Sequence, residues 1–174
     1  MLMAFNTGDE GTFHGVKSHH FFKHLAWQGH VIIDVAYSLA PAVDIFGMMG
    51  DVKRAIVWTK QHSDELKVHN DQVVVMGGSA GGHLALLAAY DLASPSSHAS
   101  GSCPPTLLLQ GGHDFGGAAP QVIELHKSLL KAGATSYLLE LPDTEHGFDL
   151  YKPAWSPAAQ AATYVTERFL ASLL

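Results

Sequence analysis

The stretch Gly77-Gly78-Ser79-Ala80-Gly81-Gly82 decides the fold. It follows the apolar run Val73-Val74-Val75-Met76 and leads into a segment carrying Leu84, Leu87 and Ala88 at helical spacing. A G-x-S-x-G sequence set between a strand and a helix makes a sharp elbow that lifts its serine to an apex. The glycines have a steric reason. Where a strand turns at once into a helix, backbone meets backbone, and side chains at Gly77 and Gly81 would collide. Ser79 is therefore expected in a strained conformation with its hydroxyl exposed. The helix that follows aims its first N–H groups, that of Ala80 among them, at the same point, which favours developing negative charge. A plain glycine-rich turn closing a βα unit needs no such coincidence of strand, elbow and helix.

Outward from the elbow, strand-like and helix-like patterns alternate. Residues 31–37, 106–110 and 136–141 are short, largely apolar runs that end at Leu39-Ala40-Pro41, Gly111-Gly112 and Pro142. Nearly continuous apolar character suits strands buried on both faces of a parallel sheet. Between them, Val52, Ala55 and Ile56 mark a helix with Asp51 as its N-cap. Val122, Leu125, Leu129 and Leu130 mark another, with Pro120 near its start, and Ala161, Val165, Phe169 and Leu173 form a C-terminal stripe. The alternation predicts an α/β fold, a mostly parallel sheet flanked by helices. Residues 94–105 are small, polar and proline-punctuated, and are expected to form a surface loop.

Composition bounds the rest. A chain of 174 residues is expected to form a single domain over 1–174. With 47% apolar and 15% charged residues it is not a disordered chain. Ten Lys and Arg against sixteen Asp and Glu leave a net charge of -6 with no basic block, so neither nucleic acid nor an anionic membrane is an expected partner. The start, Met1-Leu2-Met3-Ala4-Phe5-Asn6, carries no cationic leader, and no apolar run approaches the ~20 residues of a membrane span. A cytoplasmic protein is expected. Cys103 has no partner for an internal disulfide and lies among loop residues as an inert thiol.

A nucleophilic serine needs a base and an acid that orients it. Downstream of Ser79, Asp114 follows the strand at 106–110 and His146 follows the strand at 136–141. Parallel strands present their C-terminal ends along one edge, where Ser79, Asp114 and His146 can converge in the order serine, acid, histidine. Asp143 and Asp149 are rival acids, Asp143 the better placed, although Asp114 holds the strand-end position. An imidazole base must be neutral, so activity is expected to rise with pH through roughly 6 to 7.

These segments resemble the α/β-hydrolase fold esterases of the hormone-sensitive-lipase-like branch. Gly78-Ser79-Ala80-Gly81-Gly82-His83-Leu84-Ala85 is similar to their elbow, Asp34-Val35-Ala36-Tyr37-Ser38-Leu39-Ala40-Pro41 to their "DYRLAP" strand end, and Asp51 to Trp58 to the next helix. Pro105 to Asp114 and Glu145-His146-Gly147-Phe148 are similar to their acid and histidine segments. The resemblance implies Ser79 as nucleophile, His146 as base, Asp114 as acid, and an oxyanion site at Gly78 and Ala80 framed by Gly77 and Gly81. No metal and no cofactor are expected, and His83, which matches a common family residue, is expected to have a packing role.

Two departures bear on the reaction. Family members carry an H-G-G-G or H-G-G-A loop whose N–H groups complete the oxyanion hole. Here Ala4-Phe5-Asn6-Thr7-Gly8-Asp9 resembles the residues just after it, so that loop and the first strands of the sheet are expected to be missing. Ala80 is then the assigned oxyanion donor, helped by chain-terminal backbone near Ala4. Losing one such donor costs about 10²–10³ in rate. Second, only 34 residues separate Ser79 from Asp114, where the family inserts another strand and often part of a lid. The sheet is expected to close up around four clear strands, to leave a gap or to borrow a strand from a second copy, and because the strand at 31–37 lacks its early partners, self-association into a homo-oligomer is expected. No cap domain is expected.

Two functional classes follow. One is a serine hydrolase that cleaves short-chain carboxylic esters, small-molecule substrates, through an acyl-enzyme at Ser79. The other is a truncated or non-catalytic hydrolase-like protein with an incomplete oxyanion hole. His14, His19, His20, His24 and His30 cluster early, with His20 and His24 at i, i+4. That spacing can hold a metal, but no H-E-x-x-H sequence accompanies it, and an exposed helix face accounts for the pattern.

Overall fold

Strand β1 (Leu2–Asn6) lies between β2 (Ile32–Ala36) and β3 (Val74–Gly77), parallel to both, in the order β2-β1-β3. The computed structural model describes residues 2–6, 13–90, 99–150 and 156–174. The central place of β1 corrects the expectation that the strand at 31–37 lacks its early partner, because Leu2 to Asn6 pair in register with Ile32 to Ala36. The run Leu2-Met3-Ala4-Phe5 is too short to show a period and has no turn residues before it, so nothing in the sequence marks it as a strand. Ala4 sits inside the ladder opposite Asp34 and Met76, so its backbone is engaged there and is no auxiliary donor. Thr7, Gly8 and Asp9 lie outside the described residues.

The chain divides into two compact units, Met1–Ala89 and Tyr90–Leu174. In the first, helix α1 (Phe13–Trp27) connects β1 to β2, α2 (Ile45–Gln61) and the short α3 (Ser63–Leu66) lead to β3, and α4 (Ala80–Tyr90) follows it. Alternate residues of the strands face the core: Ile33, Val35 and Tyr37 from β2 and its end, and Val73 and Val75 around β3. Helix α2 answers with Met48, Met49, Val52, Ala55 and Ile56, and α4 with Leu84, Ala85, Leu87 and Ala88. Both sets recur at three- and four-residue spacing, the period that aligns side chains along one helix face. Strand β3 is only half-buried along Val74, Val75 and Met76, not buried on both faces.

Helix α2 begins six residues before the expected N-cap. Asp44 caps it by accepting from the Gly47 N–H at 2.9 Å. Asp51 lies one turn and more inside the helix, where it accepts from the Ser38 N–H at 2.8 Å and pairs with Arg54. The Ser38 N–H, together with Arg54, holds the Asp51 carboxyl below its usual pKa. The acidic residue thus ties the loop after β2 to the helix, and capping falls to the other aspartate.

In the second unit, β4 (Thr106–Gly111) and β5 (Ser136–Leu141) pair in parallel along their whole length. Helix α5 (Ala119–Lys131) joins them, with Pro120 in its first turn as expected, and buries Leu125 and Leu129. Helix α6 (Pro157–Ser172) is capped by Ser156, whose hydroxyl accepts from Ala159 N–H at 3.2 Å. Its buried face is Ala159, Ala162, Thr166 and Leu170, which corrects the expected stripe Ala161, Val165, Phe169 and Leu173. The physical reason is a close approach through small side chains. Thr166 can be buried because its hydroxyl donates to the Ala162 carbonyl at 2.8 Å. Of the loop expected at 94–105, residues 94–98 lie outside the described residues. The remainder holds an exposed turn closed by the Cys103 N–H on the Ser100 carbonyl.

Thr59 in α2 is completely buried, and its hydroxyl has no partner among the described residues. An unmet buried hydroxyl costs about 1–3 kcal/mol, and valine has nearly the same shape without it. Thr59→Val should therefore stabilise the protein by about 1 kcal/mol, read as a higher urea midpoint at unchanged slope. A lower midpoint would mean that the hydroxyl is satisfied.

Candidate active site

The elbow forms as the glycines require. Ser79 holds φ at +53°, in the left-handed region that a side chain rarely adopts, and is exposed at the turn from β3 into α4. Such backbone strain costs about 1–3 kcal/mol and persists only where the surroundings impose it. The surroundings are steric. A β-carbon at Gly77 would strike the backbone of Gly81 and lie 2.7 Å from the Gly82 nitrogen, and one at Gly82 would lie 2.8 Å from the Gly77 carbonyl oxygen. Gly77 and Gly82 are the two positions with no room, while Gly81 supplies the backbone that is approached. Gly78 accepts from the N–H groups of Gly81 and Gly82, and Ser79 accepts from that of His83. The first helical N–H, on Ala80, is left without a partner among the described residues. His83 is exposed, contrary to the packing role expected of it, since its helix turns Leu84 and Leu87 inward instead.

In the second unit the loops after β4 and β5 run together. The N–H of Gly112 donates to the Leu141 carbonyl at 2.8 Å, and that of His113 to the Thr144 carbonyl at 3.0 Å, so the strand pairing continues past the strand ends. A β-carbon at Gly111 would lie 2.5 Å from the Thr144 carbonyl oxygen, and one at Gly112 2.5 Å from that of Pro142. These glycines allow the loops to touch, and the contact brings Asp114 to His146.

His146 Nδ1 donates to Asp114 Oδ2 at 2.9 Å. A carboxylate accepts only, so Nδ1 carries a proton, and in the neutral imidazole the lone pair is on Nε2. Gln110, buried at the end of β4, donates its amide to the same Oδ2 at 3.1 Å and to the Gly111 carbonyl at 2.8 Å. The N–H of Gly116 donates to Oδ1 at 2.7 Å. The Asp114 side chain is 7% exposed. Burial pushes its carboxyl up, but the bonds from His146, Gln110 and Gly116 outweigh that and hold its pKa below the usual value. The rival Asp143 points outward, its side chain 95% exposed and 3.9 Å from His113. Asp149 lies in a short 3₁₀ turn (Phe148–Leu150).

The structure thus joins Asp114 and His146 and sets Ser79 at the elbow of the first unit. Gln110 and Gly116 escaped the sequence reading. Gln110 stands out only as the polar residue closing an apolar strand, four residues before the aspartate. On α1, His20 and His24 lie one turn apart, with a ring nitrogen of His24 at 3.4 Å from the Gln28 amide. No three metal-ligating side chains converge among the described residues. No described helix is long and apolar enough to cross a membrane.

The BD-FAE family model matches residues 3–92, just over half of the chain. The probable carboxylic ester hydrolase LipM of Mycobacterium tuberculosis is 27% identical over a span covering 90% of this chain and 50% of LipM. Lipase 2 of a Moraxella species is 33% identical over 46% of this chain and 19% of its own length. The chain therefore spans half or less of these curated relatives. The LipM alignment runs over 219 positions, more than the 174 residues here, so LipM carries residues within it that this chain lacks. Among solved structures, the propionate-bound esterase Est2 of Thermogutta terrifontis superposes with a TM-score of 0.87 at 20% identity, covering 99% of this chain and 83% of that one. Its butyrate-bound form superposes with a TM-score of 0.88 at 20% identity, covering 99% of this chain and 83% of that one. The fold is a shortened α/β-hydrolase core.

The low pKa of Asp114 has a consequence for stability. A carboxylate whose folded pKa lies below its unfolded value of about 3.9 adds stability that is complete above about pH 5 and fades as pH falls through the folded value. The stability difference between wild type and Asp114→Asn should therefore shrink as pH is lowered from about 5 to 2, measured by urea unfolding across that range. A difference that does not change with pH would contradict the hydrogen-bonded carboxylate.

Proposed function

The chain belongs to the BD-FAE family, and from that premise we propose that it hydrolyses short-chain carboxylic esters by a serine mechanism. The observation that carries the reading is the His146–Asp114 pair, a carboxylate held by three donors that fixes one imidazole tautomer. Ser79 is the nucleophile. His146 Nε2 takes its proton as Oγ attacks the acyl carbon, and Asp114 keeps the imidazole oriented and stabilises its charged form. The unpartnered N–H of Ala80, at the positive end of α4, receives the developing oxyanion. Water then resolves the acyl-enzyme by the same route. The probable ester hydrolase LipM supports the reaction class, and the propionate and butyrate held by Est2 support short acyl groups.

The catalytic reading predicts that Ser79→Ala lowers kcat for p-nitrophenyl acetate by at least about 10⁴-fold, with His146→Ala close behind, and that Asp114→Asn costs up to about 10⁴-fold. Ser79→Ala should unfold at the wild-type urea concentration, within about 1 kcal/mol, whereas Asp114→Asn should lose above pH 5 the stability that its hydrogen bonds contribute. Full activity in Ser79→Ala would refute the mechanism, and damage from Asp143→Asn with a neutral Asp114→Asn would move the acid.

We also propose that the protein self-associates. The outer side of β2, rich in β-branched Ile32, Ile33 and Val35, has no strand beside it among the described residues, and such an edge is a template for pairing. Light scattering at micromolar concentration should find a dimer or larger species, and a monomer would overturn the proposal.

A further inference from the structure

Phe115 follows the acid directly and is 84% exposed. Its ring nevertheless stands edge-on to the His146 imidazole, with centroids 5.2 Å apart and planes at 61°. Its backbone is pinned on both sides. The Asp114 N–H donates to the Gly111 carbonyl, the Gly116 N–H to Asp114 Oδ1, and the Gly117 N–H to the Asp114 carbonyl. Gly117 completes the turn at φ +67°, a conformation that suits glycine. A single exposed phenylalanine is ordinary on a protein surface. One whose backbone is held in the turn beside the imidazole bound to the acid is placed by the loop and not by burial of its ring.

We infer that Phe115 forms a leaving-group subsite that favours esters of aromatic alcohols. The inference rests on the serine-hydrolase reading of His146 and deepens it. Because Nδ1 is committed to Asp114, Nε2 is the nitrogen that exchanges protons with substrate. When the tetrahedral intermediate collapses, the bond from the acyl carbon to the leaving oxygen breaks. The proton that Nε2 took from Ser79 passes to that oxygen, and the acyl group stays on Oγ. The leaving oxygen must then lie about 3 Å from Nε2. An aryl group one carbon beyond it can then come within the 4.5–7 Å centroid range over which aromatic rings attract one another, against the ring that already stands 5.2 Å from the same imidazole.

Benzyl acetate and ethyl acetate share their acyl group and differ in the alcohol. Phe115→Ala should lower kcat/KM for benzyl acetate by about 3- to 10-fold, the range expected for one aromatic pair, and for ethyl acetate by less than about twofold. Equal losses on both esters would overturn the subsite and leave Phe115 as a residue that only positions His146. A second readout does not depend on turnover: the His146 imidazole C–H resonance, followed by NMR, should shift saturably with benzyl alcohol and not with ethanol. The shift should persist in Ser79→Ala and vanish in Phe115→Ala. Its absence from the wild-type protein would overturn the inference. Esterase activity surviving in Ser79→Ala would instead refute the serine reading, with the resonance still reporting on the subsite.

Discussion

A backbone contact without room for one β-carbon holds the second unit's loops in place. Gly111 and Gly112 lie against the main chain of Pro142, Thr144 and Glu145, and two hydrogen bonds carry the β4–β5 pairing beyond the strands. Everything at the dyad follows from that closure. Asp114 is three residues beyond one strand and His146 five beyond the other, so a side chain at either glycine would separate the loops before their functional groups could meet. The elbow repeats the device, with Gly77 and Gly82 pressed together under a serine forced to positive φ. In both units the candidate site residues stand on a glycine contact. The hydrophobic core supplies the stability that such strain consumes.

The carboxylate shows how a polar group is made rigid. Asp114 has donors on both oxygens, one from a side chain in the strand before it, one from the backbone after it, and one from His146. Desolvation alone would favour its neutral form, yet the donors favour the anion and win. A β-carbon at Gly116 would lie 3.0 Å from Oδ1, a tight contact that the carboxylate could meet only by giving a few tenths of an ångström. The arrangement distributes the task of orientation over residues 110, 114 and 116, of which only the middle one is chemically conspicuous.

That distribution explains what was legible in the sequence. The elbow could be read because its glycines, its serine and the flanking strand and helix are consecutive. The strand ends before Asp114 and His146 could be read because parallel strands bring their C-terminal ends to one edge. Strand β1 escaped because five residues at a chain end carry no period and no preceding turn. Asp51 misled because an aspartate before an apolar helical pattern looks like a cap, whereas it binds the Ser38 N–H across 13 residues of sequence. Gln110 escaped because its bond to Asp114 exists only once the loop has closed. Local pattern reveals elements and apexes; long-range hydrogen bonds have no local signature.

The buried face of α6, Ala159, Ala162, Thr166 and Leu170, has a consequence for how this chain can vary. Three of its four side chains have almost nothing to lose, so trimming them opens little void, while enlarging them forces the helix off β4 and β5. Helix α4, which buries Leu84 and Leu87, carries the opposite asymmetry. Drift in the two helices is therefore bounded from opposite directions: α6 has a ceiling on side-chain volume and α4 a floor. Sequence divergence in such a protein should leave small residues in one helix and large ones in the other, even where no position keeps its identity.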